Sequence, residues 1–299
     1  MNFDKAGSSA VESTPVASHF GPPGRHVIDE LIEERAAKLS RRLSWPLARP
    51  FLLRFLHYKQ AVRMADAVAA MSGHEAMEHI SGLLSLDIDL TGEGHIPRSG
   101  AFVLAPNHPT GIADGIAIFD VLKTRRPDMA IFANRDALRV APRFRDVLIP
   151  VEWRQDEKTH AKSRDTLAET ARAFASGRAV VLFPSGRIAF WHDGRLTERP
   201  WQNSAVQLAR RYRVPIVPVH IAARNSGLFY LLSRWSDELR DITVFHELLN
   251  KRGSRVSITV GAPVPPAALE GDLAAVTRRL QDHAVETLAR DPEARFSAR

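Results

Sequence analysis

Short apolar runs separated by stretches of helical periodicity constrain this chain most. The runs occupy residues 86–90, 101–105, 129–132, 147–151, 179–183, 216–221 and 256–260, each of strand length. Helical patterns at 161–176 and 201–213 lie between them, and Gly177 stands where a helix C-cap is expected. Runs this short and apolar suit buried strands, and strands alternating with helices give a sheet covered on its faces. The expected fold is α/β: a mixed sheet flanked by helices, closed by a helix over 267–290.

With 299 residues, 44% apolar and 25% charged, the chain can bury an ordinary globular core. It has no cysteine, which excludes disulfides, thiolate metal ligands and a cysteine nucleophile. The 12 histidines show no paired ligand spacing, so no metal is expected. Forty-one Lys and Arg against 34 Asp and Glu leave net +7. That surplus favours anionic partners without choosing among lipid, nucleic acid and phosphorylated carriers. The arginines are dispersed and aromatics make up 7%, unlike the basic stripes with stacking rings of a nucleic-acid surface.

Residues 1–24 lack a basic start followed by an apolar run and read as a disordered tail, not a leader. Residues 30–42 read as a charged helix. Over 44–71, Trp45, Leu47, Phe51, Leu52, Phe55 and Leu56 interleave with Arg49, Arg54, His57, Lys59 and Arg63. Pro46 and Pro50 sit near the start, where a helix tolerates them. Large apolar groups beside cations suit a helix lying in a bilayer interface, and equally a helix packed on the core. No run approaches the ~20 apolar residues of a membrane span. Residues 25–84 are therefore expected to form an N-terminal amphipathic helical extension that meets the membrane peripherally.

Chemistry concentrates in AFVLAPNHPTGIADG, residues 101–115. The apolar run ends at Ala105, and Pro106, Pro109 and Gly111 break regularity at once. His108 is thereby placed on a turn at a strand's end, with Asp114 close to the start of a helix expected over 115–123. Ligands in α/β proteins gather at that edge. A carboxylate beside an imidazole fixes its tautomer and raises its basicity, so His108 can serve as a general base supported by Asp114. A purely structural histidine–aspartate contact satisfies the same spacing. A second strand runs into Pro184-Ser185-Gly186-Arg187, a turn whose backbone N–H groups can cradle an anion beside an arginine fork. An ordinary strand-to-loop turn reads the same way. In RYRVPIVPVH, Pro215 and Pro218 flank a short strand.

Together and in this order, the three segments resemble the glycerolipid (lysophosphatidic acid type) acyltransferase family, over about residues 86–263. The resemblance implies an Asn-His…Asp block, here Asn107, His108 and Asp114. It implies a Phe-Pro-x-Gly block that binds the acceptor, here through Ser185, Gly186 and Arg187. It also implies a Val-Pro-Ile-Val-Pro-Val strand, present letter for letter at 214–219. There are departures. Five residues separate His108 from Asp114 where four are commonest. Ser185 replaces the usual Glu, Ile188 stands at the Arg position, and Arg187 comes one position early. Arg135 is the candidate for a lysine that the family places near the thioester. Residues 225–230 and 247–253 look like the acyltransferase module of hemolysin-type ornithine-lipid synthases, whose acceptor has no phosphate.

The resemblance implies an O-acyltransferase domain over 85–299. It would move a fatty acyl group from acyl carrier protein or acyl-CoA to a lyso-lipid hydroxyl, without a cofactor. The implied partners are the lyso-lipid acceptor, the acyl donor and an anionic membrane surface, with no nucleic acid. The implied place is peripheral, on the cytoplasmic face of the inner membrane. Two other readings stay open: a lipid ester or thioester hydrolase using the same dyad, and a non-catalytic binding module.

Overall fold

The computed structural model describes residues 25–152, 154 and 157–297. The tail expected at 1–24 lies outside the described residues, as does the side chain of Phe55. Five helices come first: α1 (Val27–Arg35), α2 (Ala37–Ser40), α3 (Trp45–Phe55), α4 (Tyr58–Val68) and α5 (Gly73–Leu84). Then follow β1 (Asp87–Thr91), β2 (Phe102–Pro106), α6 (Ile112–Leu122), β3 (Ala130–Asn134), α7 (Ala137–Val140), β4 (Leu148–Val151), α8 (His160–Ala175) and β5 (Ala179–Val181). A hairpin of β6 (Phe190–His192) and β7 (Arg195–Thr197) precedes α9 (Ser204–Tyr212) and β8 (Ile216–Ala222). The chain continues through α10 (Gly227–Trp235), α11 (Asp237–Ile242), α12 (Val244–Leu249), β9 (Arg255–Val260), α13 (Leu273–Asp282) and α14 (Leu288–Arg290).

The main sheet has seven strands in the order β1-β9-β8-β2-β5-β3-β4. β8, β2, β5, β3 and β4 run parallel, β9 pairs antiparallel with β8, and β1 follows β9. The sheet is thus mixed, with helices on its faces as expected. β2 is central and buried along its whole length. Its period-two alternation sends Phe102 and Leu104 into one core with α5 and α6, and Val103 and Ala105 into the other with α9 and α13. Because β2, β5 and β8 are parallel neighbours, the loops after them share one edge.

Local chemistry sets the helix ends. The Gly177 N–H bonds to the Phe174 carbonyl and the Arg178 N–H to that of Ala173, the Schellman closure that a left-handed Gly177 allows. Ser72 and Glu75 form a reciprocal capping box at α5. Three expected helices are divided. The 30–42 segment breaks at Ala36, between α1 and α2. The 44–71 segment breaks at His57, whose φ of 57° is left-handed. The closing helix starts only after Gly271, at φ 97°, and carries one π-helical turn at His283–Thr287.

The N-terminal helices build a core of their own from Ile28, Leu31, Trp45, Leu53, Leu56, Ala61 and Ala65, joined by Ile242 of α11. Packing therefore accounts for much of the apolar pattern at 44–71. Leu47 and Phe51 stay 77% and 78% exposed. Arg49 is paired with Asp29 at 2.5 Å.

Candidate active site

Pro106 closes β2 and the next residues form the site. Asn107 is buried, and its amide exchanges two hydrogen bonds with the Ile221 backbone: Nδ2 donates to the carbonyl at 3.0 Å and Oδ1 accepts from the N–H at 2.6 Å. Asn107 thus fastens the end of β2 to β8 and fixes where the following turn points.

His108 lies on that turn with 18% of its side chain exposed, and its Nδ1 is 3.0 Å from Asp114 Oδ2. The nitrogen lies off the line that a directed hydrogen bond needs, so in this conformation the contact is chiefly electrostatic. Such pairs commonly tighten when substrate is bound. Phe183 covers one face of the imidazole, with ring centroids 4.4 Å apart.

Asp114 is buried in the first turn of α6, which begins earlier than expected. Its carboxylate accepts the Thr110 N–H at 2.8 Å, the Gly111 N–H at 2.9 Å and the Thr110 hydroxyl. A carboxylate here caps the helix and complements its dipole. Gly111 has φ 93°, and a Cβ there would meet Ile188 Cδ1 at 2.7 Å. Only glycine suits that corner.

The Pro184–Arg187 turn lies beside His108, since the Ala189 N–H donates to the His108 carbonyl at 2.9 Å. Ser185 is buried, while Gly186 and Arg187 are exposed. The Ser185 hydroxyl reaches the Arg187 carbonyl at 3.0 Å and also the Glu198 carboxylate; its single proton serves one at a time. Gly186 has φ 61° with open space around a Cβ, so backbone conformation, not crowding by the protein, selects glycine here. Arg187 has no ion pair among the described residues. Arg135, at the end of β3, commits its guanidinium to Asp165 at 3.0 Å and the Lys162 carbonyl at 3.4 Å.

One feature of the site escaped sequence reasoning, and a second was marked there only by resemblance. Glu198, just past β7, receives the His108 N–H at 3.2 Å from each carboxylate oxygen, and the Trp201 indole N–H reaches it at 3.4 Å. Burial holds its carboxyl above the usual carboxylate range, against the pull of Ser185, His108 and Trp201. On the other side, Asn225 donates to the Thr110 carbonyl at 3.3 Å. The next residue, Ser226, caps α10 and is held by buried Glu247 through its N–H at 2.9 Å and its hydroxyl at 2.5 Å. Glu247 in turn pairs with Lys251 at 3.1 Å. The two late segments, 225–230 and 247–253, therefore meet in space and set one wall of the site. No metal-binding cluster occurs among the described residues.

Residues 87–222 match the family model described as Acyltransferase. The lyso-glycine lipid O-acyltransferase of Phocaeicola vulgatus is 25% identical over 199 residues, spanning 64% of this chain and 70% of that protein. A lyso-glycine lipid O-acyltransferase of Bacteroides thetaiotaomicron is 21% identical over 244 residues, spanning 80% of this chain and 88% of that protein. Among solved structures, the 1-acyl-sn-glycerophosphate acyltransferase of Thermotoga maritima covers 91% of this chain and 96% of its own at 15% identity, with a TM-score of 0.48.

Proposed function

We propose a specific reaction from one premise: the chain belongs to the glycerolipid acyltransferase family and is an O-acyltransferase. At family level its acceptor is a lysolipid. In the proposed reaction, His108 Nε2 takes the proton of the acceptor hydroxyl as that oxygen attacks the carbonyl of an acyl thioester. The C–O bond forms, the tetrahedral intermediate collapses, the C–S bond breaks, and the imidazolium returns its proton to the leaving thiolate. Asp114, beside Nδ1, stabilises the positive ring between the two transfers. No enzyme group is acylated. The reading rests on the 3.0 Å approach of a buried carboxylate to a part-exposed imidazole at the carboxyl edge of the sheet.

The donor is an acyl thioester of acyl carrier protein or coenzyme A. The acceptor is a lyso-lipid with an amino-acid headgroup. Ser185 stands where a phosphate-binding block would carry Glu, Ile188 packs toward Gly111, and exposed Arg187 offers a fork suited to a carboxylate. The names of the two bacterial relatives agree with that acceptor class. Both acceptor and product reside in a bilayer, so the enzyme works at a membrane surface, on the cytoplasmic side where thioester donors are made. No helix among the described residues is long and apolar enough to cross a membrane, and α3 offers Leu47, Phe51 and Arg54 as a peripheral contact.

The test supplies acyl thioester with lyso-glycine lipid, with lyso-ornithine lipid, with 1-acylglycerol-3-phosphate, or with no acceptor. Mass spectrometry should find the new ester chiefly on an amino-acid lipid. Thiol release at full rate without acceptor would make the protein a hydrolase. Preference for the phosphate acceptor would overturn the headgroup assignment.

A further inference from the structure

The turn that follows β5 lacks a carboxylate at position 185, yet the structure delivers one to the same place from elsewhere. Glu198 arrives after the β6–β7 hairpin and is pinned from several sides. The Gln202 N–H donates to the Pro184 carbonyl at 2.8 Å. Gln281 of α13 accepts the Trp201 N–H at 3.0 Å and donates to the Arg199 carbonyl at 3.0 Å. The Arg199 guanidinium lies 4.4 Å over the Phe190 ring. These contacts hold the segment rigid and leave Glu198 facing inward, with His108, Ser185 and Trp201 as its partners.

We infer that Glu198 is a positioning residue for acyl transfer: it clamps the His108 peptide to the Ser185 turn and places a second negative charge beside the imidazole. The clamp is geometric, because both carboxylate oxygens share the His108 N–H at 3.2 Å. Holding that peptide fixes the ring between Phe183 and Asp114, so Nε2 is the nitrogen left for the acceptor. The charge acts when the ring becomes imidazolium. Burying a carboxylate without a cationic side chain against it is costly, and an imidazolium formed nearby offsets part of that cost. Asp114 on α6 is the charged side chain against the ring on its other side; Tyr230 on α10 feels the Asp114 charge, and Arg187 belongs to the Ser185 turn.

The inference rests on His108 acting as the base. Glu198→Gln separates the two roles, since its amide carbonyl still accepts the His108 N–H while the charge is gone. The expected result is a kcat about ten-fold lower, well short of the ~10⁴ lost when a residue bonded directly to a catalytic imidazole is neutralised. KM should stay within about two-fold, and the acidic limb of the kcat profile should move to lower pH by roughly half a unit or more. Glu198→Ala should lose more, because the clamp goes as well. A Gln variant with native kcat and an unmoved acidic limb overturns the inference. So does a loss that appears in KM with kcat intact. His108→Ala, assayed alongside, tells failures apart: if it remains active the base assignment has failed, and if it is inactive while the Gln variant is native, only the role of Glu198 has.

Discussion

At the scale of single residues, the site is a contest between capping and catalysis for one carboxylate. Asp114 serves the α6 N-terminus through Thr110 and Gly111 and the imidazole through Nδ1. His108→Ala touches none of the capping bonds, so it should fold normally while turnover falls by roughly 10²–10⁴. Asp114→Asn keeps one carbonyl oxygen for the cap and loses the charge. It should lower kcat more than it raises KM, with a melting temperature down by only a few degrees. Near-native kcat in purified His108→Ala removes the dyad. A changed KM with native kcat in Asp114→Asn makes Asp114 a substrate contact. Asn107, His108 and Asp114 were legible because they fall within eight residues between a buried strand and a helix. Glu198 was not, because it lies 90 positions from its partner in a polar stretch with no periodicity. Arg135 read as free in sequence because Asp165, its partner on α8, is 30 positions away.

At the scale of elements, the strands of the parallel half were visible because strands buried on both faces are short apolar runs. The β6–β7 hairpin carries its own local signal in the sequence. Asp193-Gly194 is the type I′ signal, and both residues have positive φ, 47° and 73°. The antiparallel insertion of β9 between β1 and β8 leaves no trace in local pattern, since register and direction are tertiary choices. The helix at 44–71 shows how composition overstates a surface. Trp45 and Leu56 are core, Arg49 belongs to Asp29, and Leu47, Phe51 and Arg54 project outward from α3, with His57, Lys59 and Arg63 exposed after it. Membrane contact should follow that division. Replacing Leu47 and Phe51 by Ser removes about 1 kcal/mol or more of apolar burial per residue and should weaken vesicle binding at every salt concentration. Arg54→Gln should weaken it only on anionic lipid at low salt. Arg49→Gln should cost fold stability before it costs binding. If the Leu47/Phe51 double variant sediments with vesicles as the parent does, α3 is not the contact.

At the scale of the whole molecule, the fold's response to acid follows from where its histidines ended up. Burial lowers the pKa of His220, His246 and His283 below the ordinary value of 6.5. For His220, burial outweighs the Ala284 carbonyl 3.1 Å away, which favours the charged ring, and His283 is buried with Nε2 unpartnered, so both resist a proton. The unfolded chain takes up those protons as pH falls through about 6.5, and the folded chain resists. Stability is therefore full above that value and lost as pH falls toward the depressed folded values. Two carboxyls act in the opposite direction. Burial raises Glu198 and Asp241, so their contribution is full below the unfolded carboxylate range and is lost as pH rises through their folded values. Acidification toward that range returns some stability. The histidine effect should dominate between about pH 7.5 and 6, where three imidazoles of the unfolded chain take up protons and two folded carboxyls at most oppose them. Calorimetry over that window should show the melting temperature falling with pH. His283→Leu, which removes one titrating group and leaves no polar atom unpaired, should flatten the fall. The limiting slope for a fully resisting histidine is about 1.4 kcal/mol per pH unit, reached only once the unfolded group is fully protonated. A melting temperature that holds level or rises as pH drops from 7.5 to 6 would mean that the carboxyls, not the histidines, govern the molecule's acid response.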